Sequence, residues 1–506
     1  MVRRPRAPSR WSTGTDSSTA LMSAPDIDAE VMAHFRAITD TSHLTFVIGA
    51  GASAPSGLPD WNTLTTRLAV RTGVVPSEHA ARTLIEAQDP SFLLEAARTR
   101  AAEEWSQLVG EALYSGLDGP LRPSPLHLAI AAHYTQFPHR TSLATLNFDT
   151  LLEEALLAAG VDEIRVATSA YDFQSANASV AHLHGALEST DYGAHRNHEM
   201  VVTYRDYAEL LAENSPWQLE YLTQALDRGP LLLTGSTYRD PDLRHWLHKA
   251  LPSSSNPALV TIVREGLRLD SQTFKEVRPA LQEQWESIGL SALTLHDFSD
   301  IALIVRELPT AGHSGYVAPK GRAIATFRRH NERFAELQVE FSEALSAAAR
   351  RLKHVFGKMP VRSTFWLANG QSELVRWATA EGHYRSPDQF KRVPIGHDSP
   401  WIAGQTLATE EVQLRAVDAR QHSSPKWHSV LAIPVFVSDG VHPRVCAAVL
   451  TFAVARTANS VASLRAQWAG IAQELSAEWS KRISGVGFAA SASTMSVKRG
   501  GDHGGD

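Results

Sequence analysis

Leu44-Thr45-Phe46-Val47-Ile48-Gly49-Ala50-Gly51-Ala52-Ser53 joins five apolar or β-branched residues to a turn built on two glycines. A short apolar run ending in turn residues is the pattern of a strand buried on both faces. Glycines 49 and 51 permit a sharp turn and bring the backbone close to a ligand with no Cβ in the way. A helix N-terminus beyond the turn would offer free N–H groups and a positive dipole end to a phosphate. Ser53 can cap and donate there. An ordinary tight turn has the same composition, so the flanking sequence must decide.

Working outward, further short apolar runs lie at residues 142–146, 231–234, 258–263 and 293–295, each followed by turn residues. Helical patterns lie between them, as at residues 91–114 and 150–159. Buried strands alternating with helices predict an α/β domain over residues 26–308, a doubly wound parallel sheet with its ligand at the carboxyl ends of the strands. A Gly- and Pro-containing join over 309–320 precedes a predicted amphipathic helix at 321–356, where Phe327, Phe334, Leu337, Phe341, Leu345, Ala348 and Leu352 recur at helical spacing. Residues 357–484 change character, with strands expected at 361–368, 389–393, 429–437 and 445–454 and a helix at 460–482, an α+β module. Residues 1–25 and 485–506 have no periodicity and are expected to be a disordered leader and tail. The leader lacks the apolar core of a secretion signal.

Composition narrows the classes. A net charge of -6 gives no general field for DNA or an anionic membrane, and no direct nucleic-acid binding is expected. No run approaches the length of a membrane span. The single cysteine, Cys446, excludes an intrachain disulfide and a cysteine-built zinc site, and suits a reducing, cytoplasmic setting.

Four segments carry the chemistry. After the turn comes Ser56-Gly57-Leu58-Pro59-Asp60-Trp61, a shaped but movable loop of the kind that closes over a ligand. Thr145-Leu146-Asn147-Phe148-Asp149 ends the second strand, where Asn147 or Asp149 would also serve as a helix cap. Ala181-His182-Leu183-His184-Gly185 ends another, and a neutral imidazole at His184 can accept a proton, with Gly185 leaving room for a ligand. His182 points the other way along the strand and reads as packing or surface. Last, Leu231-Leu232-Leu233-Thr234-Gly235-Ser236 precedes Asp240-Pro241-Asp242-Leu243-Arg244, where Asp242 reads as a helix cap.

In this order the segments resemble the sirtuin family, whose core is Rossmann-like. The resemblance implies that NAD is bound by Gly49, Ala50, Gly51, Ser53, Pro59, Asp60, Trp61, Asn147, Asp149, Gly235 and Ser236. It further implies that Asn147 contacts the nicotinamide ribose and places water, that Asp149 lies near the nicotinamide amide, and that His184 is the catalytic base. Leu146 stands where the family has Gln and Trp61 where it often has Phe. Asp-Pro-Asp-Leu-Arg and Thr203-Tyr204-Arg205-Asp206-Tyr207 are similar to bacterial members outside the deacylase branch, and the tyrosines and Arg205 are placed near the site.

Protein-deacylating sirtuins carry a zinc module on four cysteines, yet no cysteine lies between His184 and Gly235. Asp191, His195, His198 and Glu199 in that interval have no ligand spacing and read as a solvated loop, so no metal is expected. Water then becomes the expected acceptor, and the expected activity is NAD glycohydrolysis to nicotinamide and ADP-ribose, with a cyclic product left open. The chain resembles antiphage-defence NADases of bacteria, which implies NAD depletion as its role. A zinc-free deacylase or ADP-ribosyltransferase and a non-catalytic NAD or nucleotide sensor remain the alternatives.

In the last block, Val393-Pro394-Ile395-Gly396, Trp401-Ile402-Ala403-Gly404-Gln405-Thr406-Leu407, Ser429-Val430-Leu431-Ala432-Ile433-Pro434-Val435 and Ala447-Ala448-Val449-Leu450-Thr451-Phe452 resemble successive segments of GAF domains. That resemblance implies regulation by a small-molecule or protein activator, or dimerisation into a homo-oligomer. Trp366, Trp377, Trp401 and Trp427 are candidates for a pocket or for the core.

Overall fold

All five residues of β1 (Leu44–Ile48) are buried, because the strand is paired on both edges. It runs parallel to β2 (Thr141–Thr145) on one side and to β5 (Leu231–Thr234) on the other. With β3 (Val166–Ala167), β4 (Val180–His182), β6 (Ala258–Val263) and β7 (Ser291–Leu295) they form a seven-stranded parallel sheet of order β3-β4-β2-β1-β5-β6-β7. The chain builds outward on one side of β1 and then returns to the other. The carboxyl end of β1 is therefore the switch point where a doubly wound sheet leaves a crevice. The computed structural model describes residues 27–39, 43–117, 121–175, 179–188, 200–213, 215–236, 240–417 and 426–488. The predicted leader, the tail beyond 488, Thr237, Tyr238, Arg239 and the segment with Asp191, His195, His198 and Glu199 lie outside them.

Both faces of the sheet are covered. Phe46, Ile48, Leu143 and Leu232 pack with helices Ala29–Thr39, Pro125–Gln136 and Phe298–Ala311. Val47, Ala144, Leu231 and Leu233 pack with helices Trp217–Arg228 and Pro241–Ala250 on the other face. Burying each large aliphatic side chain contributes about 1.5–3 kcal/mol, which is why the strands read as unbroken apolar runs. Helices Trp61–Arg71, Pro90–Ala101 and Trp105–Tyr114, inserted between β1 and β2, form a small core of their own with Phe148, Leu187 and Val202.

The second sheet is antiparallel: β8 (Val361–Ala368), β9 (Glu373–Thr379), β10 (Arg392–Pro394), β11 (Gln413–Ala416), β12 (Ser429–Val437) and β13 (Val445–Val454), in the order β10-β9-β8-β13-β12-β11. Helices Phe334–Val355 and Arg465–Phe488 cover one face.

Several expected boundaries shift. The 91–114 helix is two helices divided by a 3-10 turn at Ala102–Glu104. The 321–356 helix is also two, Pro319–Glu332 and Phe334–Val355, which meet at Arg333. The expected join begins later than Pro309, which lies inside helix Phe298–Ala311, two residues before its last residue, Ala311. The 460–482 helix is a short Ala458–Ala462 and a long Arg465–Phe488, so residues 485–488 are helical and not tail. The 389–393 strand is displaced to Arg392–Pro394 behind a 3-10 turn at Pro387–Gln389.

Candidate functional site

A cleft of about 670 Å³ opens at the carboxyl ends of β1, β2, β4 and β5, beneath the inserted helices. Gly49, Ala50, Ser53, Pro59, Trp61, Asn147, Asp149, His184 and Ser236 all line it. Gly51 and Gly235 do not; they border a separate void of about 20 Å³ beside Phe298. Asp60 instead caps helix Trp61–Arg71 through Thr63 N (2.8 Å) and pairs with Arg268. Tyr204 and Tyr207 border the cleft, whereas Arg205 turns to Glu95.

The β1 turn departs from expectation in its backbone. Two 3-10 turns, Ala50–Ala52 and Ala54–Ser56, follow Gly49, and the first α-helix starts only at Trp61. The glycines serve to pack two loops together: Gly51 N–H donates to Gly235 O at 2.7 Å. Gly235 has φ +71°, and a Cβ there would lie 2.8 Å from Ala52 N. Ser53 caps no helix; its hydroxyl donates to Asp149 Oδ2 at 2.8 Å and accepts from Asn147 Nδ2 at 2.9 Å. Asn147 Nδ2 also reaches Gly49 O at 3.2 Å. One chain of hydrogen bonds thus fixes the β1 and β2 loops against each other, while Asp149 Oδ1 accepts from Leu151 N as the helix starts.

His184 is held next to that chain by the backbone, with Leu183 N on Thr145 O and Leu187 N on Phe148 O. Its ring packs edge-on to Tyr207 and against Trp246. Among the described residues Nε2 has no hydrogen-bond partner, and Nδ1 lies 3.5 Å from Asp240 Oδ2. Burial holds its pKa below the usual histidine value, against the opposing charge of Asp240, so the ring is neutral near pH 7. Burial also pushes the Asp149 carboxyl up to about 6, despite the hydrogen bonds from Ser53 and Leu151.

Residues 141–293 match the SIR2-like domain family. The chain carries a SIR2-like domain. No curated protein matches the chain. A SIR2-like domain implies NAD binding. The matched span starts at β2, so the Gly49–Ser53 turn lies outside it, yet β1 sits between two strands of the domain and completes its cleft.

Within the SIR2-like domain, three features escaped the sequence. His182 is fully buried; Nδ1 reaches Asn147 O at 2.9 Å and Nε2 reaches Glu153 Oε1 at 2.7 Å. Asp240, not Asp242, caps helix Pro241–Ala250, accepting from Leu243 N at 2.9 Å. Asp242 is buried, neither carboxylate oxygen has a partner among the described residues, and burial pushes its pKa up to about 8. His184, Asp240 and Asp242 place one ligand atom each within 4.8 Å of one another. Against the expectation of a metal-free site, this is a donor set that a divalent cation accepts. An acid two residues after another on a helix start was the only sign of it in the sequence.

Proposed function

We propose that the chain is a NAD glycohydrolase, cleaving NAD to nicotinamide and ADP-ribose. The observation that carries this reading is the meeting of Asn147, Ser53 and Asp149 with a buried, neutral His184 in one cleft under the Gly49–Ser53 turn. Nicotinamide leaves a cationic glycosidic centre as a neutral molecule and needs no general acid. The protein's task is to orient the ribose, place a nucleophile and stabilise developing positive charge. Asn147 is fixed to orient the ribose and water, His184 takes a proton from a ribose hydroxyl or water, and the Asp149 carboxylate faces the developing cation. Water as acceptor, in preference to an acyl-lysine, is supported by the lack of any cysteine between His184 and Gly235.

The role that goes with this activity is depletion of NAD in defence against phage, held in check by the C-terminal α+β unit as a GAF-like regulatory or dimerisation module. The test is incubation of the full chain with NAD while nicotinamide and ADP-ribose are followed, with extract of phage-infected cells added in a parallel arm to supply an activator. Asn147→Ala and His184→Ala should each abolish release. Full activity in both variants would sink the assignment.

A further inference from the structure

A dinucleotide lies across the switch point of a doubly wound sheet, with one mononucleotide over the strands on each side. On one side of β1, over β2 and β4, the open cleft holds Asn147 and His184 and so takes the nicotinamide half. The adenosine half then falls over β5, β6 and β7. Gly51 from the β1 turn, Gly235 after β5 and Gly266 after β6 surround one space there, where the lack of a Cβ permits close approach. Ser236 borders both this space and the cleft. The void left in it is about 20 Å³, enough for a single water.

The Phe298 ring fills the rest. A Cβ on Gly51 would stand 2.5 Å from that ring, and one on Gly266 would stand 3.0 Å from it. Phe298 is only partly buried and packs on the rim of the core, at the first residue of helix Phe298–Ala311. Its backbone is tied to the second sheet. Phe298 N–H donates to Glu265 Oε2 at 3.1 Å, and Glu265 Oε1 lies 3.2 Å from His397 Nδ1. His397 N–H donates to Asp297 Oδ2 at 3.1 Å, and Asp398 lies 3.2 Å from Arg264. The loop after β10 therefore grips both the residue before Phe298 and the carboxylate on its amide.

We propose that Phe298 is a gate: its ring occupies the adenosine half of the crevice, NAD is fully held only once the ring swings out, and residues 397–398 set how readily it does. The proposal rests on NAD as the ligand of the cleft. When the competent form is a minor population, apparent affinity falls by that fraction. The ring obstructs the adenosine end alone, so nicotinamide mononucleotide, which has no adenosine, escapes the cost.

The test is calorimetric titration of the full chain, in the His184→Ala background where the proposed chemistry is off, with NAD and separately with nicotinamide mononucleotide. Phe298→Ala should tighten NAD about tenfold, as for a competent form of about one in ten, and leave the mononucleotide unchanged. His397→Ala/Asp398→Ala, which replaces two exposed side chains, should shift NAD in the same direction by less. A ring that stacks on the adenine, or that only packs the helix, predicts the opposite sign. Weaker NAD binding by Phe298→Ala would overturn the proposal, as would an equal change for both ligands. Where circular dichroism shows the Ala variant unfolded, Phe298→Leu keeps the apolar contact and reads the same ratio. Nicotinamide release is not read here, so failure of the NADase reading remains separately visible.

Discussion

His182 holds the backbone carbonyl of Asn147 at 2.9 Å with one ring nitrogen and Glu153 at 2.7 Å with the other. Both partners accept, so both nitrogens donate and the ring is an imidazolium. Burial opposes that charge, but Glu153 and the Asn147 carbonyl outweigh it and raise the pKa. A buried ion pair therefore anchors the residue assigned to orient the ribose.

Breaking it strands a charge. Glu153→Gln should cost about 3 kcal/mol of stability, the scale of removing one partner of a buried pair. It should also lower kcat more than it raises KM. Because the folded-state pKa of His182 is raised, the stabilisation is complete below its ordinary value near 6.5 and is lost as pH climbs through the higher one. Thermal melts of both proteins across pH should thus converge on the alkaline side.

The acid limb of activity should belong to Asp149 first. With its carboxyl at about 6 and His184 neutral, the working form is present above about pH 6. The kcat/KM profile should fall to half there, and Asp149→Asn should remove that limb while lowering the plateau. A raised carboxyl pKa means that the fold loses stability as pH rises from the ordinary value of 3.8 to about 6, and the full cost is present above that. Asp149→Asn should accordingly be more stable than wild type at pH 7, by about 3 kcal/mol at most.

The three ligand atoms of His184, Asp240 and Asp242 give a sharp metal test. Under the proposed mechanism His184 must keep a free nitrogen, so chelator treatment should leave nicotinamide release unchanged. Added zinc should inhibit by occupying the trio. Asp242→Ala should relieve that inhibition, measured as a shift in the zinc concentration for half-inhibition. Loss of activity on chelation would reverse the roles.

Gly235→Ala should damage NAD binding although Gly235 does not line the cleft. Its φ of +71° strains any side chain, and the new Cβ would meet Ala52 N and Gly49 O. A cost of about 2 kcal/mol is expected from the backbone alone. The displaced β1 turn should reduce the thermal upshift that NAD confers on the wild type.

The strands buried on both faces were legible residue by residue: β1, β5, β6, β8, β12 and β13 have the boundaries their apolar runs suggest. Short or mixed strands were not. The edge strand β3 has two residues, one exposed, and β9, inside the second sheet, and β11, at its edge, mix Arg, Glu and Gln with apolar residues. Asn147 and His184 stood out because they follow strands at turns. Glu153 did not, since its tie to His182 joins residues far apart in sequence and leaves no spacing to read. Asp242 looked like a cap because capping is local, but the backbone gave that place to Asp240.

Helix Phe298–Ala311 closes the parallel sheet with one side and meets the second sheet with another. Arg306 holds Glu410 through both guanidinium nitrogens at 2.7 and 2.8 Å, and the buried Glu307 pairs with Arg322, whose other nitrogen reaches Pro443 O. The join around residue 315 looks like a natural place to exchange one C-terminal half for another. A chimaera cut there would inherit Arg306 and Glu307 with no partners, two ionised groups left in a dry seam. Recombination between relatives would succeed only where the incoming half brings its own glutamate and arginine to the same places. In this chain the unit of inheritance is the pair of halves together.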